Sequence, residues 1–343
     1  MTFNSLILIW FDKNKRNLPW RQHKDPYKIW LSEIILQQTR VAQGTAYYLR
    51  FADTFPTVRD LAKADETEVL KLWQGLGYYS RARNLHFTAK HIVNELNGIF
   101  PENFKDLMKL KGVGEYTAAA IASIAFDEAL PAIDGNAFRL YARYFNIHVD
   151  ISSPQAKKYF FELGKQVIDP NRPGDFNQAV MEMGATICVP VNPKCGICPV
   201  NNSCEAIAQK TVELLPIKSK KVKVKQRNFH FLDITAGEKF LIKKRIENDV
   251  WKNLYNFPLF ETDSIDQQLE ELNLNLSLIK EHEEKHILTH QRLQIVFWKA
   301  NVDEAELKNL AEKLDSEIIS QKELEKYPLP RPMEKYFSKK YKV

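Results

Sequence analysis

A Gly-Val-Gly sequence at residues 112–114 restricts the fold of this chain more than any other feature, because it interrupts a helical pattern with a tight turn. Gly112 and Gly114 permit that turn and the close approach of another molecule. An alanine-rich run with helical spacing follows at residues 115–126. The amides of residues 113–115 are expected to point outward from the N-terminus of that helix, where a phosphate binds. An ordinary helix–helix turn is the alternative.

The surroundings of these glycines exclude two common nucleotide sites. No strand pattern precedes them and no Gly-Lys-Ser follows, so neither a dinucleotide-binding fold nor a P-loop fits. The length of 343 residues predicts about two domains, and a hydrophobic content of 44% is enough for their cores. The net charge of +6 suggests a polyanionic partner.

Glu33 is a carboxylate in an apolar helical pattern. Asp25 and Pro26 predict a helix start, with Asp25 as the cap, and Glu33 then shares a face with Ile29 and Trp30. The side chain lies either in solvent at the edge of that face or in a poorly solvated pocket. In a pocket, desolvation raises its pKa toward neutrality, as a general acid requires.

A second carboxylate, Asp134, precedes a helix that starts near Ala137. It is an N-cap by default, and the positive end of the helix would keep it ionised. One protonated and one ionised carboxylate can together break a glycosidic bond. Tyr116 occupies a position where a lysine could form a Schiff base, and tyrosine cannot. The nucleophile is then water, or a transient tyrosine adduct forms.

The four cysteines fall within 17 residues and predict one metal site: Cys188, Cys195, Cys198 and Cys204. An iron–sulfur cluster is favoured over zinc, because only one CxxC-like pair is present. Cysteines confined to one site also indicate a reducing compartment. The apolar run at residues 6–11 is too short to span a membrane, so we expect a cytoplasmic protein without membrane contact.

The pattern changes in the C-terminal third of the chain. A basic connector at residues 214–226 leads into strand-like segments at 229–234, 239–243 and 292–298. Helices are expected near residues 264–273 and 303–314. This part therefore predicts an α+β domain.

Two further segments suggest contacts with nucleic acid. Gln38 and Thr39 belong to a polar stretch that closes the helix containing Glu33, and such side chains suit base edges and phosphates. Leu76 stands between two glycines and is either a wedge between stacked bases or a residue folded back into the core.

Together these features resemble the A/G-specific adenine DNA glycosylases (MutY type) of the helix–hairpin–helix, endonuclease III superfamily. The matching motifs are Leu18-Pro19-Trp20-Arg21, Ser32 to Thr39, Gly75-Leu76-Gly77-Tyr78-Tyr79, Leu110 to Thr117, Asp134-Gly135-Asn136, Phe176-Asn177-Gln178 and the cysteines. The resemblance implies a mainly α N-terminal region, with a helix–hairpin–helix glycosylase fold and a [4Fe-4S] cluster domain, followed by an α+β Nudix-like C-terminal domain. It implies monofunctional removal of adenine mispaired with 8-oxoguanine or guanine in double-stranded DNA by a monomer, which in a bacterium is associated with the nucleoid.

The resemblance also implies domain boundaries. A catalytic region spans residues 1–213, in which about 22–129 form a six-helix barrel and 1–21 with 130–213 form the cluster domain. The connector covers residues 214–226, and a lesion-recognition domain covers 227–343.

Residue by residue, the resemblance implies that Glu33 is the catalytic acid and that Asp134 stabilises the oxocarbenium ion. Tyr116 and Asn136 fall on positions around the sugar, and the adenine pocket corresponds to Arg16, Trp20, Arg21 and Gln178. Positions that contact the DNA or the 8-oxoguanine strand correspond to Gln38, Thr39, Leu76, Tyr78, Gly112, Gly114, Thr289 and His290. Leu288-Thr289-His290 stands where well-known members have Phe-Ser-His, so the hydroxyl is kept and the aromatic ring is absent.

Two other functions are compatible with parts of the pattern. One is a bifunctional lyase that acts on oxidised pyrimidines, and the other is a non-enzymatic cluster protein that binds DNA and senses redox state. Borohydride trapping distinguishes the first, and release of adenine from a defined mispair distinguishes the second.

Overall fold

The computed structural model describes residues 2–219 and 223–341, and these form two compact units. The first unit comprises residues 2–63 and 84–219, and the second comprises residues 64–83 and 223–341. Part of the predicted basic connector, residues 220–222, lies outside the described residues.

Helices dominate the chain up to residue 208. They are α1 (Phe3–Asn14), α2 (Pro26–Leu36), α3 (Val41–Thr54), α4 (Val58–Lys63), α5 (Glu66–Trp73), α6 (Ser80–Glu95), α7 (Phe104–Leu107), α8 (Glu115–Phe126), α9 (Gly135–Tyr144), α10 (Pro154–Val167), α11 (Pro173–Thr186) and α12 (Glu205–Ala208). Short 3-10 helices lie at Pro19–Arg21, Cys195–Ile197 and Asn201–Ser203. The predicted helix at residues 115–126 is confirmed as α8.

Local signals explain where α2 begins and ends. The Asp25 carboxylate accepts a hydrogen bond from the Tyr27 amide at 2.9 Å, and Pro26 occupies the first turn, as predicted. The helix ends at Leu36 because Gln37 leaves the helical conformation with ψ of 119°, and Gln38 then adopts a left-handed conformation with φ of 57°. Residues 37–39 therefore form a turn after the helix.

The core of the first unit forms where α1, α9, α10 and α11 pack together. Its largest fully buried side chains include Phe11, Tyr141, Phe160 and Phe176, and burying each contributes about 2–3 kcal/mol. Gly184 in α11 is needed for this packing, because a Cβ there would lie 2.4 Å from Cβ of Asn136. This close approach sets α11 directly against the start of α9.

The second unit contains a mixed seven-stranded sheet. Its strands are β1 (Lys225–Ala236), β2 (Lys239–Lys244), β3 (Tyr255–Asn256), β4 (Leu259–Glu261), β5 (Ile279–Ile287), β6 (Gln291–Asn301) and β7 (Glu317–Ser320). The order is β3-β2-β1-β6-β5, with β4 paired to β1 and β7 to β2. β1 and β6 are parallel, and the other pairs are antiparallel. The three predicted strand segments are confirmed within β1, β2 and β6.

Alternation along β1 fills both faces of the sheet. Leu232 and Ile234 face a core covered by α13 (Ile265–Glu271) and α14 (Glu304–Lys313), which confirms the two predicted helices. On the other face, Phe231 stacks on Phe297, and Phe297 stacks on Tyr336 of α15 (Arg331–Tyr341) at 4.3 Å. The mixed sheet with helices is the predicted α+β domain.

Residues 64–83 belong to the second unit through hydrogen bonds to its loops. Arg83 Nη1 donates to the Lys252 carbonyl at 2.8 Å, and Asn253 Nδ2 donates to a Glu66 carboxylate oxygen. This division by packing differs from the predicted boundaries, which place residues 64–83 in the catalytic region; those boundaries stay a prediction.

Among the described residues, none of the helices has the length and apolar character needed to cross a membrane.

Candidate active site

Glu33 and Tyr116 meet inside the first unit. Glu33 lies on α2 with 8% of its surface exposed, and Tyr116 lies in the first turn of α8. The Tyr116 hydroxyl donates a 2.6 Å hydrogen bond to Glu33 Oε2 and lies 3.1 Å from the Met181 sulfur. Of the two environments left open for Glu33, the structure therefore shows the pocket.

Burial changes the acidity of both groups. Desolvation raises the pKa of Glu33 to about 7, although the hydrogen bond from Tyr116 acts in the opposite direction. The charge of Asp134 raises this pKa further, and that of Arg21 lowers it. Desolvation also raises the pKa of Tyr116, with contributions from Glu33 and Asp134. The two carboxylates and the phenol thus share one electrostatic environment.

Asp134 caps α9 as expected. Its Oδ1 accepts hydrogen bonds from the amides of Asn136 at 2.9 Å and Ala137 at 2.8 Å, and its Oδ2 accepts one from Asn136 Nδ2 at 2.6 Å. Burial nevertheless raises its pKa above the usual value, so the helix N-terminus offsets desolvation only in part. The sequence predicted the stabilising effect of the helix but not the opposing cost of burial.

A buried glutamate that sequence reasoning missed holds two of the predicted pocket residues. Glu182 on α11 has a side chain that is 1% exposed, and it forms ion pairs with Arg16 at 2.5 Å and Arg21 at 2.8 Å. These arginines lower the pKa of Glu182 despite its burial. Glu182 could have been found from the sequence, because it follows the predicted pocket residue Gln178 by four positions and so lies on the same helix face.

Trp20 and Gln178, the other two predicted pocket residues, differ in their surroundings. Trp20 is buried and packs edge-on against Tyr48, with ring centroids 5.4 Å apart. Gln178 lies half-buried on α11, three residues before Met181 and four before Glu182. Helix α11 thus carries three side chains of this region on one face, because they are spaced three and four residues apart.

The glycine turn forms between α7 and α8. Gly112 has φ of 81°, and a Cβ there would lie 2.8 Å from Asn84 Cβ, so this position requires glycine. The Val113 amide is not directed outward as predicted, because it donates to the Leu110 carbonyl at 3.1 Å. The first-turn amides of α8 have no intrahelical partner, and Gly114 has no side chain that could cap them.

An open cleft of about 420 Å³ adjoins this turn. Gly112, Gly114 and Tyr116 line one side, and Lys157 contributes a cation from α10. Gln37 also lines the cleft and donates to Thr117 Oγ1 at 3.4 Å. The cleft therefore leads from the exposed turn to the side chain that contacts Glu33.

Gln38 and Thr39 follow the end of α2. Gln38 is exposed, whereas Thr39 is half-buried and donates from Oγ1 to the Gln37 carbonyl at 3.3 Å. Gln38 is thus accessible to a ligand without any rearrangement of the turn.

The remaining predicted contact residues lie in the second unit. Leu76 is 8% exposed, so the structure shows it folded inward and not as a protruding wedge. Tyr78 is 48% exposed, and its hydroxyl contacts Thr289 Oγ1. Thr289 and His290 are exposed in the turn between β5 and β6. The structure therefore joins Tyr78 to one of these two residues, although they are far apart in the chain.

The four cysteines line one small apolar cavity next to α9. Arg143 Nη1 lies 3.5 Å from Cys188 Sγ, and its guanidinium donates to the carbonyls of Val189 and Pro190 at 2.8 and 3.1 Å and of Leu215 at 3.0 Å. Across residues 2–219 and 223–341, no group of three His, Cys, Asp or Glu side chains is placed to hold a single metal ion. Four sulfurs around a shared space, beside a buried cation, fit the larger and anionic iron–sulfur cluster.

Arg139 connects the cysteine segment with the carboxylate site. It donates to the Cys188 and Gly184 carbonyls, each at 2.7 Å, and to Asn136 Oδ1 at 2.8 Å. Asn136 in turn donates to Asp134.

Three parts of the chain match known families. Residues 31–166 match the HhH-GPD superfamily base excision DNA repair proteins, residues 188–204 match the iron-sulfur binding domain of endonuclease III, and residues 230–339 match the NUDIX domain. The match at residues 188–204 contains all four cysteines, so the chain carries an iron–sulfur cluster, as predicted.

Relatives match over much of the chain. The adenine DNA glycosylase of Buchnera aphidicola subsp. Schizaphis graminum is 37% identical over 300 residues, which cover 86% of each chain. The human adenine DNA glycosylase is 46% identical over 213 residues, which cover 60% of this chain and 39% of the human protein.

Solved structures resemble part of the fold. A thermostable thymine-DNA glycosylase matches with a TM-score of 0.56 and 30% identity, over 60% of this chain and 95% of its own. An endonuclease III trapped on DNA matches with a TM-score of 0.53 and 20% identity, over 61% of this chain and 95% of its own.

Proposed function

The chain belongs to the adenine DNA glycosylase family, and we propose that this DNA N-glycosylase removes adenine mispaired with 8-oxoguanine or guanine. The observation that carries the proposed mechanism is the buried cluster of Glu33, Tyr116 and Asp134. Such a cluster is inaccessible to a base stacked inside a duplex. The adenine must therefore leave the helix and enter the pocket before the reaction.

In the proposed mechanism Glu33 is the general acid. A pKa of about 7 leaves a substantial protonated fraction at neutral pH, and protonation of adenine at N7 makes it a leaving group. Glu33 is suited to this task because Tyr116 holds Oε2, which fixes the orientation of the carboxyl group.

Asp134 is proposed to act as the anion that stabilises the oxocarbenium ion of the sugar. Its oxygens accept three N–H hydrogen bonds, which favour its charged form and oppose the rise in pKa that burial causes. A protonated Glu33 beside a charged Asp134 also avoids two like charges in one pocket. Asn136 then holds Asp134 in place and lies near the sugar.

The absence of an amine at Tyr116 favours hydrolysis in one step over lyase chemistry. A phenol cannot form a Schiff base with the sugar, so water attacks the carbon from which adenine departs, and the enzyme is monofunctional. The proton of that water is released, and the proton given by Glu33 leaves on adenine.

The proposed adenine pocket contains Arg16, Trp20, Arg21 and Gln178. Glu182 orients the two guanidinium groups, and Trp20 contributes an apolar ring surface. Arg21 also lies close enough to influence the acidity of Glu33. The pocket and the acid are thus electrostatically linked.

We propose that the DNA backbone binds at Gly112 and Gly114, where first-turn amides of α8 are available to a phosphate. The strand with 8-oxoguanine is proposed to contact Gln38, Thr39, Leu76, Tyr78, Thr289 and His290. For Leu76 this requires movement out of its buried position when DNA binds.

The four cysteines would hold the [4Fe-4S] cluster, with Arg143 beside Cys188 as a compensating cation. The cluster supplies a cross-link between the chain segments on which its ligands lie. Further proposals are a monomer, the boundaries 1–213, 214–226 and 227–343, and a cytoplasmic location, with nucleoid association in a bacterium.

The function is tested by measuring adenine release from duplexes with A:8-oxoguanine, A:G, A:C and A:T pairs under single-turnover conditions. Fastest release from A:8-oxoguanine, then from A:G, is expected. Equal rates on all four duplexes would contradict the proposed specificity. Efficient borohydride cross-linking to the abasic product would contradict the monofunctional mechanism.

A further inference from the structure

The loop at residues 75–79 has a backbone conformation that requires external support. Gly75 and Gly77 have φ of 92° and 72°, and Tyr78 has φ of 47°. A left-handed conformation is unfavourable for a non-glycine residue, because its Cβ lies too close to the following carbonyl oxygen. The exposed position of Tyr78 must therefore be stabilised by its surroundings.

One side of the loop is held by residues of the same segment. Trp73 Nε1 donates to the Gly77 carbonyl at 3.0 Å, and Arg81 Nη2 donates to the same carbonyl at 3.1 Å. The Arg81 guanidinium lies over the Trp73 ring, 5.0 Å from its centroid. These contacts explain the turn itself.

The other side is tied to a distant segment by the buried hydroxyl of Tyr79. This hydroxyl accepts a hydrogen bond from the Gly75 amide at 3.3 Å and donates one to the Leu329 carbonyl at 3.3 Å. Gln74 Oε1 accepts a bond from the Leu329 amide at 3.2 Å. Both backbone groups of Leu329 are thus used to hold this loop.

The segment at residues 327–329 is itself anchored to the sheet. The Tyr255 amide donates to the Pro328 carbonyl at 2.9 Å, and the rings of Tyr255 and Tyr327 pack edge-on at 4.6 Å. Lys71 Nζ adds a bond to the Tyr327 carbonyl at 3.3 Å. Leu329 therefore belongs to a segment that is fixed to strand β3 of the C-terminal sheet.

We infer that Tyr79 is a positioning residue, which sets the place of Tyr78 against Thr289 by tying the loop to Leu329. Tyr78 contacts Thr289, in the turn between β5 and β6, so the loop contacts the C-terminal part of the chain at two separate points, Thr289 and Leu329. This inference rests on the proposed recognition of 8-oxoguanine by Tyr78 and Thr289. It adds a residue that does not contact the lesion yet controls how well the lesion is distinguished.

The test is the variant Tyr79→Phe in the full-length protein, which removes the hydroxyl and keeps the ring. One hydrogen bond corresponds to about 0.5–1.5 kcal/mol, so the ratio of single-turnover rates for A:8-oxoguanine over A:G should fall about 2- to 12-fold, with the A:G rate unchanged. Tyr327→Phe is the matched control, because its hydroxyl donates to Glu317 and not to the loop. The control should keep the wild-type ratio.

A second measurement does not depend on the lesion. Amide hydrogen exchange of the DNA-free protein should become faster at Gly75 and around Leu329 in Tyr79→Phe, but not in Tyr327→Phe. An unchanged exchange pattern would overturn the inference. So would an unchanged rate ratio in a protein whose wild type prefers 8-oxoguanine. A wild type without that preference would instead refute the proposed function. The amide hydrogen exchange measurement would then be the sole test of whether Tyr79 positions the loop.

Discussion

The Tyr116 hydroxyl donates a 2.6 Å hydrogen bond to Oε2 of Glu33, and this contact joins the end of the glycine turn to the apolar helix α2. The two residues are 83 positions apart in the chain. The bond stabilises the charged form of Glu33, while burial opposes that form more strongly. The balance leaves a carboxylic acid that exchanges its proton near neutral pH.

Glu33→Gln should abolish catalysis without abolishing DNA binding. The amide keeps the size of the side chain but has no proton to give, so single-turnover adenine release should fall by about 10²–10⁴-fold. Binding to an A:8-oxoguanine duplex, measured by gel shift or fluorescence anisotropy, should persist. Glu162→Gln, on the exposed face of α10, serves as the control. Near-normal release by Glu33→Gln would rule out its role as the acid.

Tyr116→Phe should move the pH profile of adenine release. The lost hydrogen bond lowers the pKa of Glu33 in the wild type, so its removal raises that pKa above about 7. Because the acid must be protonated, the loss of rate with rising pH should shift upward by about one pH unit. Tyr159→Phe, an exposed tyrosine, should leave the profile unchanged. A profile that shifts downward would contradict this electrostatic account.

Glu33→Gln should also increase the stability of the folded protein, but only once the pH rises above the acid range. The pKa of Glu33 rises from 4.5 to about 7 on folding, so the folded state holds its proton longer than the unfolded state. Between pH 4.5 and 7 the free energy of unfolding of the wild type should therefore fall by about 3 kcal/mol relative to that of Glu33→Gln, whose amide does not titrate. Thermal unfolding of both proteins at pH 5 and pH 8 measures this difference. A gap in Tm that does not widen at pH 8 would show that Glu33 is not desolvated.

Glu182→Ala should destabilise the first unit by about 3 kcal/mol, because two arginines would lose their buried partner. The matched control is Glu162→Ala, which removes an exposed pair with Lys165 and should cost less than about 1 kcal/mol. Urea unfolding gives both values. The Michaelis constant for a mispair duplex should also rise in Glu182→Ala, since Arg16 and Arg21 are no longer oriented. An equal loss of unfolding free energy in the two variants would contradict the role of Glu182 as the partner of both arginines.

Cys198→Ser should remove the iron–sulfur cluster, because the weaker oxygen ligand replaces a thiolate at the shared cavity. Iron and sulfide content should fall well below those of Val191→Ala, a control at an exposed position of the same segment. Limited proteolysis should become faster between residues 188 and 204, because the cross-link that the cluster provides between its ligands would be lost. Full retention of iron would show that Cys198 is not a ligand.

Local patterns were sufficient to predict several elements. The Asp25-Pro26 start of α2, the helix after Gly114 and the alternating strands β1, β2 and β6 each depend on interactions between residues near in sequence. The cysteine spacing likewise predicted the iron–sulfur cluster, because its ligands come from one short segment. The polar stretch that the sequence predicted to close α2 lies just beyond its end, because the helix already ends at Leu36.

By itself, the sequence determined the two classes of secondary structure, the residue types available for chemistry and the cluster. Only the tertiary structure decided that Glu33 is buried against Tyr116, that desolvation outweighs the helix N-terminus at Asp134, and that Leu76 is folded inward. It also revealed Glu182 and the attachment of Tyr79 to Leu329. These properties depend on solvent exclusion and on contacts between residues distant in the chain, and neither is encoded in spacing along a single segment.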